Sequence, residues 1–133
     1  MRWLRKDRPP DVWEFAADQP LGDIEAAQKI REICGSAWSI AETMAASRGR
    51  KVETHEASED ERYQAAVKSA LELAKQISDD AMRDVSVSQI IRLCVKVDHM
   101  KTARVLLRAI QSEKSRMELV AAHPVLIDQE AAS

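Results

Sequence analysis

The pattern Ala-x-x-Leu-x-x-x-Ile-x-x-(Asp/Glu)-x-x-Arg-x-x-x-Val occurs twice in this chain. Its first copy is Ala70, Leu73, Ile77, Asp80, Arg83 and Val87, and its second is Ala103, Leu106, Ile110, Glu113, Arg116 and Val120. Every residue of the second copy lies 33 positions after its counterpart (103 against 70). A fixed offset of that length is what stacked helical hairpins leave in a sequence, because each hairpin buries its apolar face only against its neighbour. Arrays of this kind present extended surfaces that bind other molecules.

The rest of the chain agrees with helices. Its 133 residues suit one domain with a core of its own. Aromatic residues are only 4% against 45% hydrophobic overall, so that core must be Ala, Leu, Ile, Val and Met. Pro9-Pro10 and Pro124 stand near the ends, and glycines number only 3, so the middle is almost free of helix breakers. The expected fold class is therefore all-α, with antiparallel helical hairpins stacked as a short repeat array. A four- or five-helix bundle gives the same Ala and Leu spacings and is the alternative.

Residues 1–10 read as a flexible basic arm, and 11–133 as a single all-helical domain with a polar linker at 48–58. Asp11-Val12-Trp13-Glu14 has the spacing of a capping box and opens a short helix that ends near Pro20. Asp23 is the expected N-cap of the next helix, whose inward face is Ile24, Ala27, Ile30, Cys34, Ala37, Ala41 and Met44, with Gly35 as a point of kinking or splitting. A fainter echo of the period falls on Ala37, Ile40 and Met44.

Between Arg48 and Ser58 a basic block precedes an acidic one and the apolar spacing stops. Ser58-Glu59-Asp60-Glu61 then opens a helix, and Ser78-Asp79-Asp80 opens the following one, with Met82, Val85, Ile90, Leu93, Cys94 and Val97 inward. Asp98-His99 breaks that pattern. Met100, Ala103, Leu106, Leu107 and Ile110 form the next face, and a last helix from Glu113 carries Met117, Leu119 and Val120 until Pro124 stops it. Val125-Leu126-Ile127 is placed to fold back as a cap, with Gln129 to Ser133 fraying.

Residues 87 to about 110 resemble a tetratricopeptide-repeat unit. The matching positions are Val87, Ile90 and Cys94 in a first helix, Asp98-His99-Met100 at the turn, and Ala103, Leu107 and Ile110 in a second. The chain departs from that family at Ile91, where a small residue is usual, and at Asp98, where glycine is usual. The resemblance implies a concave face lined by the first helix of each pair, with Ser88, Arg92, Val95 and Lys96 as groove residues.

Little in the sequence points to catalysis. There is no glycine-rich phosphate loop, no nucleophile motif and no pair of carboxylates on an apolar helix, so no enzyme activity and no cofactor are expected. His55, His99 and His123 fall in a linker, a turn and a position before proline, all of which read as surface. Cys94 and His99 lack the further ligands a zinc site needs, and Cys34 and Cys94 read as small core side chains. With no signal peptide, no long apolar run and no disulfide framework, the chain reads as cytoplasmic.

The charge pattern is more informative. Residues 83–116 carry eight cations against three carboxylates, although the whole chain has a net charge of −2. Arg92 and Lys96 share one helical face, and Lys101, Arg104 and Arg108 stack along the next. This stretch holds no aromatic residue for stacking bases, so an acidic peptide fits it better than nucleic acid. Trp3, Trp13 and Phe15 near the N-terminal cations are placed to pack on the domain, to form a short linear motif or to touch an anionic membrane surface. The expected function is a non-catalytic adaptor or regulatory module that binds another protein or an acidic peptide. Its partner-binding residues would be Ser88, Arg92, Val95, Lys96, Lys101, Arg104 and Arg108. The alternative is a self-associating regulatory bundle, a homo-oligomer touching nucleic acid through residues 83–116.

Overall fold

The computed structural model describes residues 22–47 and 56–127, and across them the chain is all-helical. Five helices follow one another: α1 (Asp23–Ser47), α2 (Glu56–Ala74), α3 (Asp80–Lys96), α4 (Met100–Ala109) and α5 (Glu113–Ala122). One further helical turn covers 125–127. The basic arm, the helix expected from Asp11, residues 48–55 of the polar linker and the tail from Gln129 lie outside the described residues. Residues 56–58, expected in that linker, belong to α2. Nothing in Glu56-Ala57-Ser58 breaks a helix, so α2 starts ahead of the capping-box signal.

Helix α3 is central. It packs against α1, α2 and α4, with a smaller contact to α5. Its buried arc is correspondingly wide: Asp84, Ser86, Val87, Ser88, Ile90, Ile91, Leu93 and Cys94. Only a narrow strip is left for solvent, and Val85 falls on it at 58% exposure, although its spacing predicted an inward side chain. Ile24 (64%) and Met117 (63%) are likewise exposed rather than inward. For α1 the buried line runs Ala26, Ile30, Ile33, Ala37 and Ala41, and Ile24 lies off that arc. Gly35 does not split α1, which is continuous from Asp23 to Ser47.

The core joins Ile30 and Ile33 of α1, Leu73 and Ile77 from α2 and its exit, Ile90, Ile91 and Leu93 of α3, and Ala103 and Ile110 from α4 and its exit. Each fully buried Ile or Leu is worth about 1.5–3 kcal/mol. Leu126 is buried while Val125 and Ile127 stay exposed, so one side chain of that segment closes the core.

The ends of the hairpins are tied by carboxylates. Asp23 accepts hydrogen bonds from the backbone amides of Ser78 (2.9 Å) and Asp79 (3.0 Å) and from the Ser78 hydroxyl. The start of α1 thus lies beside the exit of α2, so the two helices are antiparallel. Asp84 accepts from the amides of Gln111 (3.1 Å) and Ser112 (2.9 Å), which pairs the start of α3 with the exit of α4 in the same way. Asp23 therefore does not serve as the N-cap of its own helix; its carboxylate is spent on the next hairpin. Asp79 and Ser112, 33 positions apart, are the N-caps of α3 and α5, accepting from the amides of Met82 and Ser115.

The paired pattern extends to the arginines. Arg83 donates from Nη1 to the carbonyl of Ile77 at 2.9 Å, and Arg116 donates from Nη1 to that of Ile110 at 2.6 Å. The echo at Ala37, Ile40 and Met44 does not describe the position of α1, because α1 lies parallel to α3. Asp23 meets Asp79 at one end of the two helices, and Glu42 meets Lys96 at the other. Matching instead the two carboxylates that tie the hairpins, Asp23 and Asp84, gives an offset of 61 at which Gln28 also falls on Gln89, Ile30 on Ile91 and Arg31 on Arg92.

The turn from α3 to α4 is a Schellman motif. The amide of Asp98 donates to the carbonyl of Val95 (3.2 Å) and the amide of His99 to that of Cys94 (2.7 Å). The geometry requires a left-handed residue, and Asp98 takes it with φ 64°.

Candidate partner-binding face

Two solvent-facing stripes run side by side on the parallel helices. On α1 the stripe is Ile24, Gln28, Arg31, Gly35, Trp38 and Glu42, in steps of three and four residues, and every member is exposed. On α3 it is Val85, Gln89, Arg92 and Lys96, with Val85 and Arg92 exposed and the other two half-buried. Near the helix starts the stripes enclose a groove of about 430 Å³ lined by Ile24, Gln28, Arg31, Met82, Val85 and Gln89. The Oε1 atom of Gln89 is enclosed there without a hydrogen-bond donor among the described residues.

The far end of the face is closed by three side chains. Lys96 Nζ lies 2.7 Å from Glu42 Oε2 and 5.1 Å from the centre of the Trp38 ring. The Lys96 ammonium, by hydrogen bond and by charge, holds the Glu42 carboxyl below its ordinary range, with a smaller contribution from Trp38. Trp38 keeps 39% of its surface exposed. Between the two ends lie Arg31 and Arg92, both exposed and without an acidic partner among the described residues.

The seven residues expected from sequence are dispersed. Arg92 and Lys96 stand on this face, with Lys96 already engaged by Glu42. Ser88 does not line a groove: it is buried, and its hydroxyl donates to the carbonyl of Asp84 at 2.8 Å. Val95 packs against the core. Lys101 and Arg108 are exposed on α4. Arg104, between them, donates to the carbonyl of Val125 at 3.1 Å and so holds the final turn.

Gln28, Arg31, Gln89 and Trp38 were not singled out by sequence reading. The signal for three of them was present, as Gln-x-x-Arg at 28–31 and again at 89–92. It was hidden because the offset of 61 departs from the period of 33.

Other chemistry-bearing groups are occupied. His99 is not a surface histidine: its side chain is 12% exposed and its Nε2 lies 2.6 Å from Asp60 Oδ1, linking α2 to the start of α4. Cys34 and Cys94 are buried free thiols, and burial pushes both up to about 12, with the neighbouring Cys94 adding to the effect on Cys34. Among the described residues no group of His, Cys, Asp or Glu is arranged to hold a metal ion. A second groove, of about 490 Å³, separates α2 from α4 over Val67, Leu71, Val87 and Leu106, with Lys68 and Lys75 on its rim. No helix among the described residues is long and apolar enough to cross a membrane.

Compared with models of known families, with curated proteins and with solved structures, the chain matches none.

Proposed function

We propose that this chain is a non-catalytic adaptor or regulatory module that acts in the cytoplasm by binding an acidic segment of another protein across α1 and α3. The observation that carries this reading is the pair Arg31 and Arg92. Corresponding helices present them to solvent on one face, beside Gln28 and Gln89, and no carboxylate among the described residues neutralises them. Guanidinium groups held this way suit bidentate contact with the carboxylates of a partner. The resemblance of residues 87–110 to a tetratricopeptide unit supports the use of α3, since Arg92 and Lys96 of its four implied groove residues stand on this face, and buried reduced thiols suit a reducing compartment.

The basic stretch is a weaker candidate for nucleic acid than its charge suggests. Arg83 and Arg116 are bonded to the carbonyls of Ile77 and Ile110, Arg104 to that of Val125, and Lys96 to Glu42. The remaining four, Arg92, Lys101, Arg108 and Lys114, are distributed over three helices.

The test uses a fluorescein-labelled peptide alternating Glu and Val, with its Lys counterpart as control, read by polarisation. The wild-type chain binds the Glu peptide alone. Arg31→Glu with Arg92→Glu weakens binding by about tenfold or more at unchanged melting temperature, since exposed charges contribute little to stability. Undiminished binding by the double variant overturns the assignment. Lys96 is a poorer choice for reversal, because its loss also breaks the contact with Glu42.

A further inference from the structure

Gly35 has no role in the fold that the structure accounts for. It stands within α1, where glycine costs about 1 kcal/mol relative to alanine. Three reasons ordinarily keep a glycine in a helix, and none applies. Its φ is not in the left-handed region. No neighbouring helix presses on it, since among the described residues no atom beyond its own helix comes within 4 Å of where a Cβ would sit. It ends no helix, because α1 continues for twelve more residues to Ser47.

What Gly35 does is lower the surface at one point of the exposed stripe. Arg31 stands one turn before it and Trp38 one turn after, both exposed, and the space where a side chain would begin at position 35 is open, a notch in the stripe. Lys96 lies over the Trp38 ring at 5.1 Å from its centre, which holds the indole at the edge of this face. Arg92 is one turn before Lys96 on α3, which adds a second guanidinium to that of Arg31.

We infer that the Gly35 notch is a seat for an aromatic side chain of an acidic partner segment. The ring packs flat on the α1 backbone against Trp38, and Arg31 and Arg92 hold carboxylates that flank it. The inference rests on the proposed acidic-segment reading and adds the identity of the anchor residue. An aromatic group matches the site for two reasons. Offset or edge-on packing against an indole is favourable for another ring. A flat group also uses close approach to a helix backbone, which a Cβ at position 35 would prevent. The guanidiniums then select aromatic residues in acidic surroundings and reject those in basic ones.

The test is a cycle between protein and peptide. Two labelled acidic peptides are used, identical except for a central Phe or Ala. The wild-type chain binds the Phe peptide about tenfold more tightly than the Ala peptide, as burial of a ring in a partly open seat allows. Gly35→Ala folds with a raised melting temperature, binds the Ala peptide as before and loses most of the preference for Phe. Trp38→Leu loses the same preference without the gain in stability.

An equal Phe-to-Ala ratio in wild type and Gly35→Ala overturns the seat while leaving the acidic-segment reading intact. Failure of both peptides to bind wild type, where Arg31 and Arg92 are intact, overturns both. Light scattering on the free chain checks the remaining occupant: a dimer that Gly35→Leu dissociates would assign the notch to a second copy and overturn the inference.

Discussion

Asp84 holds the amides of Gln111 and Ser112 as Asp23 holds those of Ser78 and Asp79, and the recipient residues are 33 positions apart. Each carboxylate lies on the first helix of a hairpin and satisfies two amides in the turn that leaves the second. The turn after α4 is thereby fixed at the entry to α5, as the turn after α2 is fixed at the entry to α3. Asp84 is the more enclosed of the two, at 5% exposure.

Replacing Asp84 tests this tie directly. Asp84→Ala leaves the amides of Gln111 and Ser112 without their acceptor and costs about 1–3 kcal/mol in a urea melt. Asp84→Asn keeps one acceptor oxygen and costs less. Equal stability for Ala and wild type would show that the turn is held by the N-cap Ser112 alone.

Acid should loosen the other hairpin. The amide of Ser78 foremost, then that of Asp79, hold the Asp23 carboxyl below its ordinary 3.8, and Lys96 holds Glu42 below 4.5. A carboxyl whose pKa falls on folding stabilises the native state above its unfolded value, and that contribution is lost as pH falls through the folded one. Melting temperature should therefore drop as pH is lowered below these values. Asp23→Asn should be less stable at pH 7 and show a shallower acid decline; parallel pH profiles for variant and wild type would contradict the assignment.

The left-handed turn makes an opposite prediction. Asp98 occupies φ 64° in the Schellman motif, a conformation that costs L-residues roughly 1–2 kcal/mol and aspartate somewhat less. Asp98→Gly should leave α3 and α4 in place and raise stability by up to about 1 kcal/mol. A loss of stability on calorimetry would mean that the Asp98 side chain supplies a contact outweighing its backbone strain.

Ala103 is fully buried, on the helix that packs against α3. Ala103→Leu adds volume where the surrounding atoms are fixed and should cost about 1–3 kcal/mol in denaturant. An unchanged midpoint would show space beside Ala103 that the packing does not contain.

Much of this architecture is set by local sequence. Spacing of Ile, Leu and Ala determined that the chain is helical, and Asp79 and Pro124 marked boundaries, because caps and proline act through the backbone within a few residues. The recurrence at 33 residues pairs Ile77 with Ile110 and Arg83 with Arg116 from sequence alone. Tertiary structure decided what periodicity cannot express. A helix pattern states which side chains share a face, but not how many neighbours that helix has. Surrounded on several sides, α3 buries Ser86 and Ser88 and leaves Val85 in solvent. Free charge is likewise a tertiary property. Lys96 and Arg104 share helices with Arg92 and Arg108, yet each is drawn to an oxygen 54 or 21 positions away, and only the fold brings those oxygens within reach.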